Sequence, residues 1–546
     1  MSARSYLGVY GRGCGNIVQT VLIGEVSMTE SLSHDRWRLI CVFIGALLLL
    51  VFLKNAWVCD DAYIVFRSIE QLYAGNGPTW NHHERVQGYT SPLWYWLLAG
   101  LRCFSTDHFF NFILLSLVLF LLLGMLLQRH FGNGTGFASA MLLALSSNAF
   151  FDFTSSGLEN ILGYLLVAAG FVGGMTALNT SDPGVSRRHY YRALLAFALV
   201  PLCRHDLLVL TLLPSLVLVF SRPSGSGRQR MLDLFALALP LLFWSTFSLI
   251  YYGALFPNTA YAKLLTGISR LETLIQGLRY LLVTFNGDPV TILVILGALY
   301  VAWADDRRFI KAFGAGLVLN LIYVVWVGGD FMRGRFLALP FLLALLLLTE
   351  TRLVERLIAL RPSSGRAGGL VLAAYMLIFP HTPVNTWLNF QDFSIQHGVA
   401  DERGYYFDVC SLYAWLYSQP GEVFPDFEWS HIGRQIATNG IAYLENDFNG
   451  MLGFWAGVKP VIIDRFALTD PFLARIPVSD AKNWRIGHFK REVPEEYRRS
   501  IETGQNKFSD AATAALFDKI QLATREAQLF TLKRFMAIVK LNCGIN

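Results

Sequence analysis

Long apolar runs separated by short polar connections dominate residues 37 to 380. A helix needs roughly 17 to 25 mostly apolar residues to cross a bilayer. The pattern therefore predicts an α-helical polytopic membrane protein with about eleven transmembrane helices. The predicted spans lie near residues 37–53, 109–128, 135–151, 158–178, 192–206, 207–221, 231–252, 288–304, 309–327, 336–350 and 368–380.

The apolar segment Ser91 to Phe104 differs from these runs because it is short and rich in Trp and Tyr. This composition is typical of a helix that lies at the membrane interface. If the segment does not cross, the clustered Arg and Lys residues between spans all fall on one face, which the positive-inside rule makes cytoplasmic. We therefore expect a juxtamembrane helix within a first outer loop, residues 54–108.

The apolar periodicity stops after Pro380, and mixed sequence follows. Strand-like runs at Gly440–Leu444 and Lys459–Ile463 and a helical pattern from Asp510 to Leu541 predict a soluble α/β domain, residues 381–546. An odd number of spans places this domain on the outer face, where Cys410 and Cys543 could pair. Residues 1–36 have no apolar core of their own, and we expect either a cytoplasmic tail or an over-extended start with Met28 as the initiator, followed by a retained first span.

Composition agrees with this assignment: 54% of the 546 residues are hydrophobic and only 15% are charged. The net charge of +6 is spread over short clusters. A nucleic-acid-binding protein would instead carry a continuous basic stripe. The sequence thus predicts membrane lipid, and no nucleic acid, as a partner.

Two adjacent carboxylates, Asp60 and Asp61, follow the first span at the membrane surface, where charge is costly unless solvated or used. They are the predicted catalytic residues, since a carboxylate here can take a proton from an acceptor hydroxyl. The pair could also help to hold Mg, Mn or Ca against a phosphate, although a solvated helix end would explain it as well. The loop that follows is rich in Gly, Pro and aromatic residues, and Tyr89 and Trp94 are candidate sugar contacts.

Ser156-Gly-Leu-Glu159 opens an apolar run and matches a helix capping box, so Glu159 has a structural as well as a substrate-binding interpretation. Arg204-His205-Asp206 interrupts an apolar stretch, which is rare unless the charges line a cavity or pair together. A guanidinium fork fits phosphate oxygens. Arg204 and His205 are therefore candidate phosphate ligands and Asp206 a candidate substrate contact.

The connection Gly328–Arg335 combines flexible backbone with a carboxylate and two guanidinium groups. We predict that Arg333 and Arg335 face Arg204 and, together with Lys263, bind the donor phosphate. Asn258 and Asp330 lie in the same set of outer connections and complete the candidate substrate-binding residues. His82-His83 lacks a third ligand at zinc spacing. The chain has no Walker loop, G-x-S-x-G elbow or G-x-G-x-x-G fingerprint.

Seven stretches carry a resemblance to a known family: Asp60–Arg67, Val86–Trp94, Ser156–Glu159, Tyr251–Thr259, Gly328–Arg335, Asp464–Pro471 and Trp484–Phe489. Together they resemble the GT-C class of polyprenyl-phosphate-sugar-dependent glycosyltransferases. The likeness is greater to the mycobacterial terminal β-(1→2)-arabinofuranosyltransferase family and related pilin arabinosyltransferases. The chain departs from that pattern at Gln87, where Glu is expected.

The resemblance implies a bacterial inner-membrane enzyme with a periplasmic active site and an acidic residue of the first outer loop at the reaction centre. It implies a polyprenyl-phosphate-linked donor, such as an arabinofuranose, and a glycan or glycoprotein acceptor such as pilin. Asp60 would be the general base of an inverting route, and a retaining route stays open.

Two other interpretations are an oligosaccharyltransferase or ligase that uses a lipid-linked glycan, and a lipid or sugar transporter. A transporter would place polar groups near the midplane in repeat-related broken helices. The sequence shows no internal repeat.

Overall fold

The computed structural model describes residues 35–222, 225–386, 394–419 and 421–543. The predicted cytoplasmic tail lies almost entirely outside this part of the chain. The first part of the described chain is helical, in the order α1 (Asp35–Asn55), α2 (Asp60–Tyr73), α3 (Pro92–Arg102), α4 (His108–Phe131), α5 (Thr135–Leu145), α6 (Asn148–Asp152), α7 (Asn160–Asn179), α8 (Pro183–Cys203), α9 (Leu208–Phe220), α10 (Gly227–Tyr251), α11 (Asn258–Leu264), α12 (Arg270–Gly287), α13 (Pro289–Ala304), α14 (Arg308–Trp326), α15 (Arg335–Glu350), α16 (Leu353–Leu360) and α17 (Pro362–Ile378).

Every apolar run of the sequence is helical in the structure, but the helices differ in length. Within the described residues α1, α4, α7, α10 and α14 are long and apolar enough to cross a membrane, and the pair α12 and α13, bent by 111°, would make a sixth. Other runs form shorter helices. For example, α15 has 16 residues and a length of about 24 Å. The chain is a mostly helical membrane protein, and the number of eleven crossings stays a prediction.

Helix α3 has only 11 residues, about 16 Å of helix, which is too short to cross a bilayer. Its indole Trp94 donates a hydrogen bond to the carbonyl of Gly157 at 2.9 Å. This contact ties α3 to the start of α7. The segment 91–104 thus contains a short helix, as predicted, and its position at the membrane interface stays a prediction.

Helix α15 lies at the centre of the bundle, and its side chains from Leu337 to Leu348 are buried. It packs on α13, α7 and α5, while α10 lies at the periphery and is largely exposed. One end of α15 carries Arg335 and the other carries Glu350. Glu350 meets Arg307 at 2.7 Å and His130 at 3.2 Å. Two separate polar clusters therefore lie at opposite ends of α15.

The later part of the chain contains β1 (Ile395–Gln396), β2 (Val399–Ala400), α18 (Glu402–Cys410), α19 (Leu412–Tyr417), α20 (Glu428–Thr438), β3 (Tyr443–Asn446), α21 (Gly450–Ala456), β4 (Val461–Asp464), α22 (Glu495–Thr503), α23 (Ala511–Arg525) and α24 (Leu532–Cys543). Strands β3 and β4 pair in parallel and correspond to the two predicted strand-like runs. The segment with the predicted helical pattern, Asp510 to Leu541, forms two helices, because the chain leaves the first after Arg525 and starts the second at Leu532.

The later part packs closely on the first outer helix, α2. The buried guanidinium of Arg67 donates to the carbonyls of Gly453 at 2.5 Å and Pro460 at 2.8 Å. Because a buried guanidinium must find acceptors, these bonds fix α2 against α21 and the approach to β4. The proposed Cys410–Cys543 pair is not formed: both thiols are free, with Cys410 buried and Cys543 exposed.

Candidate functional site

A cavity of about 260 Å³ lies between the start of α2 and the later part of the chain. Its walls combine carboxylates, cations and aromatic rings, a mixture suited to a polar ligand with apolar faces. These side chains are Asp60, Asp61, Glu402, Asp447, Lys263, Arg485, His488, Tyr405, Tyr406, Trp429, Phe331, Phe448 and Phe466. The predicted catalytic pair and Lys263 therefore line one cavity.

Asp60 begins α2 and is held by the backbone of α21. Its Oδ1 accepts a hydrogen bond from the N–H of Met451 at 2.7 Å, and its Oδ2 accepts one from Gly450 at 3.3 Å. A Cβ at Gly450 would lie 2.1 Å from the carbonyl oxygen of Asp60, so this close approach requires glycine. The carboxylate is fixed in position at the cavity wall.

Asp61 starts a chain of charges that runs away from the cavity. Its Oδ2 lies 3.9 Å from Nη1 of Arg335, whose Nη2 is 3.6 Å from Oε1 of Glu159. The same Glu159 oxygen is 3.7 Å from Nε of Arg204, which also forms a two-point pair with Asp206 at 3.0 and 2.6 Å. Five predicted site residues from four separate parts of the sequence thus form one network.

Asp330 also joins the network, with its Oδ2 3.5 Å from Nη1 of Arg335, the same atom that faces Asp61. A second, very small cavity of about 20 Å³ lies next to Glu159, Arg204, Asp206 and Arg335. The guanidinium groups here are already paired with carboxylates. The alternative of a structural Arg–Asp pair at residues 204 and 206 is therefore observed.

The capping-box interpretation of Ser156 and Glu159 is wrong. Helix α7 starts at Asn160 without a side-chain cap, and the Ser156 hydroxyl accepts only from Leu158, at 3.4 Å. Glu159 is instead buried between Arg204 and Arg335. Burying a carboxylate without a counter-charge costs more free energy than leaving one helix N-terminus without a side-chain cap. The two arginines supply the counter-charge for Glu159.

Burial controls the protonation of the cavity carboxyls. It raises the pKa of Asp60 to about 7, even though the N–H of Met451 favours the ionised form. It also raises the pKa of Asp61, which Arg335 and Lys263 partly oppose. Burial, followed by the charge of Asp61, raises the pKa of Glu402 to about 8. At neutral pH the cavity therefore contains a carboxyl that titrates and another that is mostly protonated.

The predicted divalent metal does not fit the carboxylate pair as it stands. Asp60 accepts two backbone N–H groups, and Asp61 faces the guanidinium of Arg335. Among the described residues, no group of three or more His, Cys, Asp or Glu side chains is arranged to hold a metal ion. We derive no chemical step through a metal.

Three other predicted residues have structural partners and do not line the cavity. Tyr89 stacks on Tyr95 and shares a 2.7 Å hydrogen bond with Tyr252. Asn258 donates to the carbonyls of Ala467 and Asp470. Trp94 is bound to Gly157, as described above.

Arg333 and His205 are also separate from the main network. Arg333 forms an ion pair with Asp401, one residue before Glu402. His205 lies in a short 3-10 helix, with its ring 6.3 Å from that of Phe256. Arg333 and Arg335, two positions apart in the Gly328–Arg335 connection, therefore pair with different carboxylates.

Most cavity residues contributed by the later part of the chain were not predicted from sequence, and the exceptions lie within a resembling motif. Glu402, Tyr405 and Tyr406 lie on α18, and Trp429 stacks on Phe448 at 4.2 Å. Nothing in the local sequence distinguishes these residues from surface polar and core aromatic residues. Arg485 and His488 belong to the Trp484–Phe489 motif, which was the available signal.

The fold and the cavity define a helical membrane protein with a carboxylate-lined cavity at one end of its bundle. The chain is related to proteins named terminal β-(1→2)-arabinofuranosyltransferase. It is 30% identical to the one of Corynebacterium glutamicum over 367 residues, which cover 58% of this chain and 51% of that protein. It is 30% identical to the one of Mycobacterium tuberculosis over 332 residues, covering 53% and 51%.

The chain thus spans about half the length of the curated relatives it matches. No protein-family model matches it. No solved structure matches it either.

Proposed function

We propose that this protein is a membrane glycosyltransferase that moves a sugar from a polyprenyl-phosphate donor to a glycan or glycoprotein acceptor. The sugar is an arabinofuranose, and pilin is one acceptor to test. The observation that carries the proposal is the cavity in which Asp60, Asp61 and Glu402 face Lys263 and Arg485. The names of the two relatives support the choice of sugar.

The cavity has the chemistry that such a transfer requires. Phosphate is a good leaving group, so the protein mainly has to orient the two partners and neutralise the charge that develops on phosphate. Lys263 lines the cavity and forms no ion pair or hydrogen bond with other described residues. Its ammonium group is therefore available to bind phosphate oxygens.

Arg335 and Arg204 have a different role in this proposal from direct phosphate binding. Their guanidinium groups are engaged by Glu159, Asp206 and Asp330. Arg335 also faces Asp61 and so sets the position and charge of that carboxylate. We infer that the network holds Asp61 at the cavity wall, whereas Lys263 contacts the donor.

In the proposed step, Asp60 takes the proton of an acceptor hydroxyl as its oxygen bonds to the anomeric carbon. The bond from that carbon to the phosphate oxygen breaks, and its electron pair leaves with the polyprenyl phosphate. A general base works best when its pKa is near the working pH, and burial raises the pKa of Asp60 to about 7. The aromatic side chains Tyr405, Tyr406 and Trp429 offer flat apolar faces for the sugar rings.

The proposed site faces the periplasm at the inner membrane. The basic residues that meet Glu350 lie at the other end of α15 from Arg335, which supports this orientation through the positive-inside rule.

The test uses the full-length protein reconstituted in lipid, a synthetic polyprenyl-phospho-arabinofuranose and an arabinan acceptor. Transfer of labelled arabinose should fall at least about 100-fold in Asp60→Asn, which keeps the size of the side chain and one oxygen to accept the N–H of Met451 but cannot take a proton. Asp510→Asn, at the exposed start of α23, is the matched control and should transfer normally. Normal turnover by Asp60→Asn would remove Asp60 from the mechanism, and transfer only from a lipid-pyrophosphate glycan would favour a ligase.

A further inference from the structure

The last helix, α24, separates its side chains into two faces. Arg534, Ala537 and Ile538 are at most 5% exposed. The opposite face carries Leu532, Phe535, Met536 and Val539, which are 74%, 61%, 50% and 36% exposed. The spacing of these four residues places them on one side of the helix. An exposed apolar face of this kind marks an interaction surface.

The buried face attaches α24 to the end of the peripheral helix α10. Arg534 donates to the carbonyl of Tyr251 at 3.1 Å, and Asn542 donates to that of Gly253 at 3.0 Å. Asn542 also accepts the N–H of Leu255 at 3.2 Å. The position of α24 is therefore fixed relative to the last turn of α10.

Helix α10 is long and apolar enough to span a membrane and is largely exposed along its length. Its large apolar side chains, such as Leu239, Leu242 and Phe243, face outward, as those of a helix in contact with lipid do. Just beyond its end, the exposed apolar surface continues through Leu255 and Phe256, and Leu264 and Leu265 extend it. The exposed face of α24 is therefore held beside the end of this lipid-facing helix.

We propose that α24 is an interfacial membrane anchor, with Leu532, Phe535, Met536 and Val539 inserted into the lipid leaflet that surrounds the end of α10. Lys533 and Lys540 flank this face, and their long stems allow the ammonium groups to reach lipid phosphates. The region predicted from sequence as a soluble domain is thus attached to the membrane a second time, through its own last helix. The inference does not depend on the proposed activity.

The anchor also has a defined relation to the cavity side of the molecule. Arg85, in the loop that follows α2, donates to the carbonyl of Glu526, between α23 and α24, at 2.6 Å, and to that of Tyr251 at 3.1 Å. The first outer loop, the end of α10 and α24 therefore lie together. Insertion of α24 would hold the later part of the chain, which forms much of the cavity wall, at a constant height above the bilayer.

The test places a fluorescent label on single cysteines at positions 532, 535, 536 and 539 in full-length protein. The background carries Cys14→Ser, Cys103→Ser and Cys543→Ser, and the protein is held in nanodiscs of either ordinary or brominated phosphatidylcholine. Bromine quenches only fluorophores that lie within the lipid. We expect brominated lipid to reduce the emission of these four labels at least about twofold, because an interfacial helix buries its apolar face about 5–10 Å into the leaflet.

A label at Glu502, an exposed polar position at the end of α22, is the matched control and should be unaffected. Equal emission in both lipids at all four α24 positions, with the labels open to an aqueous quencher, would overturn the proposal. Labels protected from both quenchers in a particle that contains two chains would also overturn it, because a second copy would then cover this face. Cysteine substitution at exposed positions leaves the buried face of α24 intact, so folding is preserved.

Discussion

Oε1 of Glu159 lies 3.6 Å from Nη2 of Arg335 and 3.7 Å from Nε of Arg204, and it makes no hydrogen bond in the described structure. The carboxylate thus stabilises two buried guanidinium groups through charge alone. This relation connects the start of α7, the end of α8 and the start of α15. It also positions Arg335 next to Asp61.

Glu159→Gln should destabilise the fold because it leaves two buried cations with one counter-charge fewer. Removing one partner of a buried ion pair costs about 3–5 kcal/mol. The measurement is denaturant unfolding in mixed micelles. Glu502→Gln, on an exposed surface, should change the free energy of unfolding by less than about 0.5 kcal/mol. Equal stability of the two variants would contradict the role given to Glu159.

The pH dependence of transfer should have two limbs. Asp60, with a pKa raised to about 7, must lose its proton to act as a base, so kcat/KM should rise as the pH increases through about 7. Glu402, with a pKa raised to about 8, is mostly protonated at neutral pH and can donate a hydrogen bond to substrate. Its ionisation should lower kcat/KM above about pH 8.

Glu402→Gln separates these two limbs, because Gln remains a neutral donor at every pH. The rise through about 7 should persist, and the decrease above about 8 should disappear. A Gln variant whose activity still falls in the same alkaline range would show that another group is responsible.

Lys263→Met should weaken donor binding while leaving the fold intact, since Lys263 is exposed in the cavity and lacks a partner in the described residues. A hydrogen bond to a charged group contributes about 1.5–3 kcal/mol, so KM for the donor should rise about 10- to 100-fold. Lys263→Arg should restore part of this loss. Lys482→Met, in an exposed loop outside the cavity, is the control, and an unchanged donor KM in Lys263→Met would reject the phosphate contact.

Gly450→Ala should move Asp60 away from α21, because the added Cβ would lie 2.1 Å from the Asp60 carbonyl oxygen and 2.4 Å from its carboxyl carbon. A displacement of about 1 Å at a reacting group can reduce the rate about 100-fold. Gly100→Ala, at a position on α3 with nothing within 4 Å of the new Cβ, should leave the rate unchanged. Steady-state kcat for the two variants checks this, and similar values would argue against a fixed Asp60.

The orientation in the membrane can be tested with an inserted epitope tag. A tag between Arg222 and Arg230 should be hidden from antibody outside spheroplasts, since this basic connection is predicted to be cytoplasmic. A tag at Gly504, after α22 in the later part of the chain, should be accessible. The reverse pattern would place the cavity in the cytoplasm and reject a periplasmic donor.

The sequence by itself determined the helical membrane class and the grouping of polar clusters. The length of the apolar runs predicts helices directly. The interpretation of the short aromatic segment 91–104 as a helix that does not cross the membrane predicts which connections lie on the same face. This grouping places Asp61, Glu159, Arg204, Asp206, Asp330 and Arg335 on one side of the membrane, and in the structure these residues form one network of ion pairs.

Only the tertiary structure decided which of these residues face the cavity and which face one another. Arg333 and Arg335 are two positions apart, yet the first pairs with Asp401 and the second with Asp330. Side-chain direction in a glycine-rich connection depends on the local backbone, which hydropathy does not encode.

The cavity residues of the later part of the chain could likewise not be predicted from the sequence pattern. Glu402 lies 342 positions after Asp60, and no periodic pattern links them. The two share a cavity because the backbone of α21 binds Asp60 and Arg67 binds the chain near Gly453. Contacts between distant segments depend on how the folded chain packs and on which buried polar groups find hydrogen-bond partners. Hydrophobic periodicity indicates only which face of each segment is buried.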